Sequence, residues 1–157
     1  MVNVENSAHR TGVVDSLCAN EFAVELDGQP VTGVFKIEGF VPFRLVTAPP
    51  TTGSNHPGMR LDTPPFRISR MVQRNANLPF NQWIQATIEA VPNSAGALPT
   101  KTLTIIAMDD GVAVRRWAVE KATITEVSYS DFDTGSGALV EETCLIQYAS
   151  IKINWKP

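Results

Sequence analysis

Several features are missing from this sequence, and each absence removes a class of function. No segment reaches the ~18 consecutive apolar residues of a membrane-spanning helix, so insertion into a membrane by this chain alone is not expected. The first residues, MVNVENSAHR, lack the basic-then-apolar pattern of a signal peptide, and folding in a cytoplasm is expected. No lysine/arginine run offers a grip on nucleic acid, and the formal net charge is −3. Cysteine is scarce. Cys18 and Cys144 lie far apart with no C-x-x-C spacing, which reads as two reduced, buried thiols, with an inter-subunit disulfide left open.

Enzyme signatures are missing too. His9 and His56 sit in polar segments with no cysteine or carboxylate at metal-ligand spacing. Asp109-Asp110 is explained by a turn. Asp131 and Asp133 lack the glycine and glutamate of a calcium loop. There is no phosphate-cradling glycine loop and no G-x-S-x-G elbow. No catalytic residue, metal site or cofactor is expected.

What is present is strand. The chain has 157 residues, 43% of them hydrophobic and 18% charged, enough to bury a core in one domain spanning 1–157. Phe22, Val24 and Leu26 alternate with Glu21, Ala23 and Glu25, and Asp27-Gly28 then supplies a hairpin turn. Residues 34–40 and 41–46 continue extended. A second hairpin signal, Asp109-Asp110-Gly111, sits between strands, with Trp117 on the second. Ala122–Tyr129 reads as a further strand, and one long final strand is expected over Val140–Trp155. That strand carries Cys144, Ile146 and Tyr148 on one face and Leu145, Ile151, Ile153 and Trp155 on the other.

One helix stands out. Phe80, Trp83, Ile84, Ile88 and Val91 fall on a single helical stripe, Asn77 fits the N-cap and Pro79 the first turn. Phe80, Trp83, Ile84 and Ile88 are its expected core contacts. The pattern predicts a mainly β protein, an antiparallel sandwich or barrel of about seven strands with one amphipathic helix packed at its side. Between two strands lies Thr47–Pro65, whose five prolines and two glycines exclude a helix or a central strand. It exceeds the ~12–15 residues of an ordinary connection and reads as a projecting loop.

The order of these pieces resembles the tail tube proteins of contractile-tailed phages and related contractile injection systems. Phe22-Ala23-Val24-Glu25-Leu26-Asp27-Gly28 is similar to that family's F-x-V-x-I-D-G opening, and Val34-Phe35-Lys36-Ile37-Glu38-Gly39-Phe40 to its next segment. Ile68-Ser69-Arg70 before the Trp83 helix, the Arg116-Trp117 pair and Glu141–Leu145 follow in the same order, although the family's K-R-G reads Ser69-Arg70-Met71 here. The resemblance implies a non-enzymatic virion protein whose hexameric rings stack into the inner tube of a contractile tail. Such a tube passes DNA transiently through its lumen and meets tail sheath, baseplate and tail-terminator proteins after assembly in the host bacterial cytoplasm. It further implies a ring-stacking role for Thr47–Pro65, with Pro49, Pro50, His56, Pro57, Arg60, Leu61 and Asp62 as contact residues. It implies an inter-subunit strand bearing Ile146, Tyr148, Ile151, Ile153 and Trp155. Two alternatives stay open: the tube of a bacterial injection system or tailocin, and, from another class, a β-sandwich carbohydrate-binding module.

Overall fold

A computed structural model describes residues 17–50, 53, 58–92 and 97–155. In chain order they form β1 (Phe22–Leu26), β2 (Gln29–Val31), β3 (Val34–Glu38), β4 (Leu45–Ala48), β5 (Gly58–Leu61), β6 (Phe66–Met71), α1 (Pro79–Ala90), β7 (Lys101–Asp109), β8 (Val112–Tyr129), β9 (Glu141–Gln147) and β10 (Ser150–Trp155). The described residues are mainly β with one helix, as the alternation predicts. Eight strands join one antiparallel sheet in the order β2-β1-β7-β8-β9-β6-β3, with β10 also paired to β8, and β4 pairs only with β5.

Turn chemistry explains both tight hairpins. Asp27 and Gly28 have φ of 47° and 80°, and Asp110 and Gly111 have φ of 48° and 78°. Paired left-handed residues give the turn whose twist matches the strands it joins, and glycine enters that region without a steric penalty. Asp27 also accepts a hydrogen bond from Thr102 N at 2.8 Å, tying the first turn to β7.

The sheet bends at one point on β8. Its first half pairs with β7 and β10, its second half with β9. The switch falls at Lys121, with φ of 51°, where Glu120 and Lys121 together oppose the single residue Thr102. This is a bulge that turns the strand without ending it. The two expected strands on either side of it are therefore one strand of 18 residues.

The partner strand does break at this corner. The expected single strand over 140–155 is two strands separated at Tyr148-Ala149. The break shifts the alternation by one residue, so Cys144, Ile146 and Tyr148 point to the same side as Ile151, Ile153 and Trp155. The final segment is not two-faced. Ile146 and Tyr148, expected at an inter-subunit face, lie in the core, fully buried and nearly so.

The two halves of the bent sheet enclose Val24, Leu26, Leu103, Ile105 and Val119 from one side and Phe66, Ile68, Ile124, Cys144 and Ile146 from the other. Helix α1 closes the flank with Phe80, Trp83, Ile84 and Thr87. Ile88 does not join them and is 65% exposed. At ~100° per residue it sits about 90° from the centre of the buried stripe, and Thr87 fills the inward position instead. The Thr87 hydroxyl is satisfied by donating to Trp83 O at 2.8 Å. Leu78, not Asn77, occupies the N-cap position, without a side-chain cap. Asn81 fixes the approach to the helix by donating to Gln73 O at 3.0 Å and Asn75 O at 2.8 Å.

Candidate assembly surfaces

The proline-rich segment folds into a two-stranded arm. Leu45 pairs with Leu61, Val46 with Arg60, Thr47 with Met59 and Ala48 with Gly58. Two short strands outside the main sheet are what a segment bounded by Pro49-Pro50 and Pro64-Pro65 can still form, since proline lacks the ladder donor. A salt bridge staples the base, Arg44 Nε donating to Asp62 Oδ2 at 2.9 Å. The bond from Arg44 holds the Asp62 carboxyl below the usual carboxylate range. Directly paired residues share a face, so Leu45, Leu61 and Met59 form an exposed apolar strip, with Phe43 just before the arm also exposed. Among the expected stacking residues, Pro49, Pro50, Arg60 and Leu61 are exposed and Asp62 is half-buried at the base. His56 and Pro57 lie outside the described residues, as does His9.

The second surface is the end of the first half-sheet that the other described residues leave exposed. Its core face consists of cross-strand rows. Leu26, Leu103, Val119 and Ile151 form the most buried row; Val24, Ile105, Trp117 and Ile153 form the next. Phe22, Ala107, Arg115 and Trp155 form the last. Burial falls along this progression until Trp155 is 65% exposed. The Arg115 guanidinium lies over the Trp155 ring at 3.9 Å, a cation–π contact at the sheet's margin. Beside it, a groove of about 420 Å3 is lined by Leu17, Phe22, Phe35, Ile37, Ile105 and Trp117, together with Cys18, Glu21 and Lys36. The sequence pattern places Trp155 at the end of an alternating strand; it does not show that Arg115 lies beneath it, because that contact spans 40 positions of chain.

The opposite face of this half-sheet carries charge in compensated pairs. Arg116 Nη1 lies 3.6 Å from Glu25 Oε1, and Lys152 Nζ lies 3.1 Å from Glu120 Oε1. No group of three or more His, Cys, Asp or Glu side chains placed to hold a metal ion exists among the described residues. Both cysteines are free. Cys144 is buried, and that burial pushes its thiol up to about 12. Cys18, expected to be buried, is exposed, because it precedes the first strand and lies against the groove rather than in the core. Of the three tryptophans, Trp83 is buried, Trp117 packs edge-on against Phe40 at 6.1 Å, and the exposed Trp155 carries the Arg115 guanidinium over its ring.

Comparison with known proteins bears on these surfaces. The sequence profile of the T4-like virus tail tube protein gp19 matches residues 18–152. No curated protein is a significant sequence match. Among solved structures, the fold is similar to a chain of the anti-feeding prophage cap (the AFP tube terminating cap), with a TM-score of 0.68 and 18% identity over 90% of this chain and 92% of that one. It is similar to a chain of the PVC sheath-tube complex of an extracellular contractile injection system, with a TM-score of 0.68 and 14% identity over 94% and 97%. Hcp1 from Flavobacterium johnsoniae matches with a TM-score of 0.54 and 12% identity over 87% and 96%. At these identities the likeness establishes the fold.

Proposed function

This chain belongs to the T4-like virus tail tube protein gp19 family, a structural tail tube component, and from that premise we propose that copies of it form hexameric rings that stack into the inner tube of a contractile tail. The observation that carries the reading is the family match across residues 18–152. The chain also leaves surface for the purpose: an apolar strip on an arm outside the sheet, and an open sheet end at Trp155. An isolated subunit gains nothing from exposing them, whereas a ring buries them.

In this reading residues 1–157 act as one tail-tube-like domain that does no catalysis. The arm, with Pro49, Pro50, Arg60 and Leu61, meets the next ring, and Asp62 braces it through Arg44. Trp155, with Ile153 beside it, meets the neighbour within the ring, while Ile151 packs against the core. The lumen passes DNA into the host without holding it. Paired charges such as Glu25 with Arg116 and Glu120 with Lys152 support this, because a compensated wall offers phosphate no net cation. Tail sheath, baseplate and tail-terminator proteins are the further partners, and assembly takes place in the host bacterial cytoplasm.

Replacing residues 49–64 with a short Gly/Ser linker tests the stacking role. Melting temperature and circular dichroism are expected to stay close to wild type, since β4 and β5 pair only with each other. Rings are expected to form and fail to join. Tubes of normal length from this variant would return the arm to the class of plain surface loops.

A further inference from the structure

A second exposed apolar feature lies between β8 and β9. Residues 130–140 connect β8 to β9 and are exposed almost throughout, yet hydrogen bonds order them internally. Ser130 N donates to Glu141 O and Glu141 N to Ser130 Oγ, both at 2.9 Å, closing the base. Gly135 N donates to Asp133 Oδ1 at 2.9 Å and Ala138 N to Ser136 Oγ at 3.1 Å, fixing the tip. Val72 N donates to Val140 O at 3.1 Å, tying the loop to the body. This ordered loop presents Phe132, 81% exposed, and Leu139, 72% exposed. Ordering a loop costs conformational entropy, and holding two large apolar side chains in water recovers none of it.

The loop and the groove under Trp117 lie toward opposite ends of β8. Trp117, which lines the groove, and Tyr129, which precedes the loop, are separated by about 40 Å of strand before the bend at Lys121 is counted. A knob at one end and a hole at the other cannot meet within one chain, but they meet between two copies arranged head to tail. One charge pairing is available. Asp131 and Asp133 flank Phe132, with no lysine or arginine between Val127 and Glu142. The groove is lined by both Glu21 and Lys36, and Lys36 lies 3.4 Å from Glu38, so the cation left for the loop is Arg115, across from the groove residue Ala107. Arg115 has no carboxylate partner among the described residues and rests on Trp155 instead.

We propose that the 130–140 loop of each copy docks into the Phe22/Phe35/Trp117 groove of the next copy in the ring, Phe132 and Leu139 filling the groove and Asp131 facing Arg115. The occupant is a second copy of this chain, so the inference rests on the tube-forming reading and says which surfaces close the ring. A contact between two different surfaces propagates in one direction and closes only when the rotation per subunit divides the circle; a symmetric contact stops at a dimer.

The native Cys18 at the groove gives a direct test. Thr134→Cys places a thiol on the exposed tip of the loop while leaving Phe132 and both aspartates in place, and buried Cys144 stays unreactive. Treating the assembled full-length variant with a short bis-maleimide is expected to give a ladder of covalent dimers, trimers and higher species on a denaturing gel. Adding Cys18→Ser is expected to abolish the ladder. Adding Phe132→Ser is expected to keep the wild-type melting temperature and reduce the ladder at least tenfold. A product that stops at dimers, or a ladder that survives Cys18→Ser, overturns the proposal. Electron microscopy of the same samples separates the two ideas: tubes without a ladder overturn this contact and leave the tube reading standing, whereas neither tubes nor ladder overturns both.

Discussion

Arg70 and Glu142 form an ion pair inside the protein: Arg70 Nε donates to Glu142 Oε1 at 2.7 Å, with both side chains almost fully buried. The pair crosses from β6 to β9, whose residues 70 and 142 face each other in register. Arg70 also donates to Asn81 Oδ1 and lies 4.5 Å from the Phe80 ring centroid, so one guanidinium joins two strands to the start of α1. Its remaining nitrogen, Nη1, is buried without a protein partner. Two charges taken out of water tolerate each other's company far better than either tolerates solitude.

Removing one partner is therefore expected to be severe. Arg70→Met or Glu142→Leu alone should cost ~3–5 kcal/mol, each leaving a buried charge uncompensated. The double variant should recover part of that loss. Urea melts of the two single variants and the double variant check it, and additive losses would show that the pair is not coupled.

Helix α1 gives a contrast between neighbouring positions. Trp83→Ala should destabilise by ~3–5 kcal/mol, because it empties a fully buried site. Ile88→Ala should cost under ~0.5 kcal/mol in the isolated subunit. If Ile88→Ala leaves the melt unchanged but weakens assembly, this exposed isoleucine belongs to an interface.

The two thiols should differ sharply. Cys18 should react with a thiol reagent at pH 8, while Cys144 should react only on unfolding, since burial pushes it up to about 12 from an ordinary value near 9. Because the folded chain holds that proton more tightly than the unfolded chain, the contribution is complete below about pH 9 and is lost as pH rises toward 12. Burial raises Tyr148 as well, in the same direction. Melting temperature should therefore fall through the alkaline range, and substituting Cys144→Ala should flatten part of that fall.

Local chemistry was legible in the sequence and long-range geometry was not. Asp27-Gly28 and Asp110-Gly111 announce their hairpins, because two adjacent residues decide the turn. The alternation of Phe22, Val24 and Leu26 likewise reports a buried face within five positions. Ile88 was misplaced because the stripe drawn through it was wider than the groove that α1 fills. The corner at Lys121 was invisible, since nothing about a lysine marks a bulge. That corner decides which side Ile151, Ile153 and Trp155 face, and so reverses the expected two-faced strand. The Arg70–Glu142 pair links positions 72 apart in the chain, and no spacing rule connects them. The prolines of Thr47–Pro65 announced a segment outside the main sheet; the pairing of β4 with β5 within it was not legible.

Cryo-electron microscopy of the assembled wild-type protein tests the central claim most directly. The account predicts hollow tubes of stacked six-fold rings, each ring six times the 17.1 kDa of one chain, with the 45–61 arm of one ring against the next. A protein that stays monomeric at high concentration even when a baseplate or preformed tube end is supplied as a nucleus would contradict it.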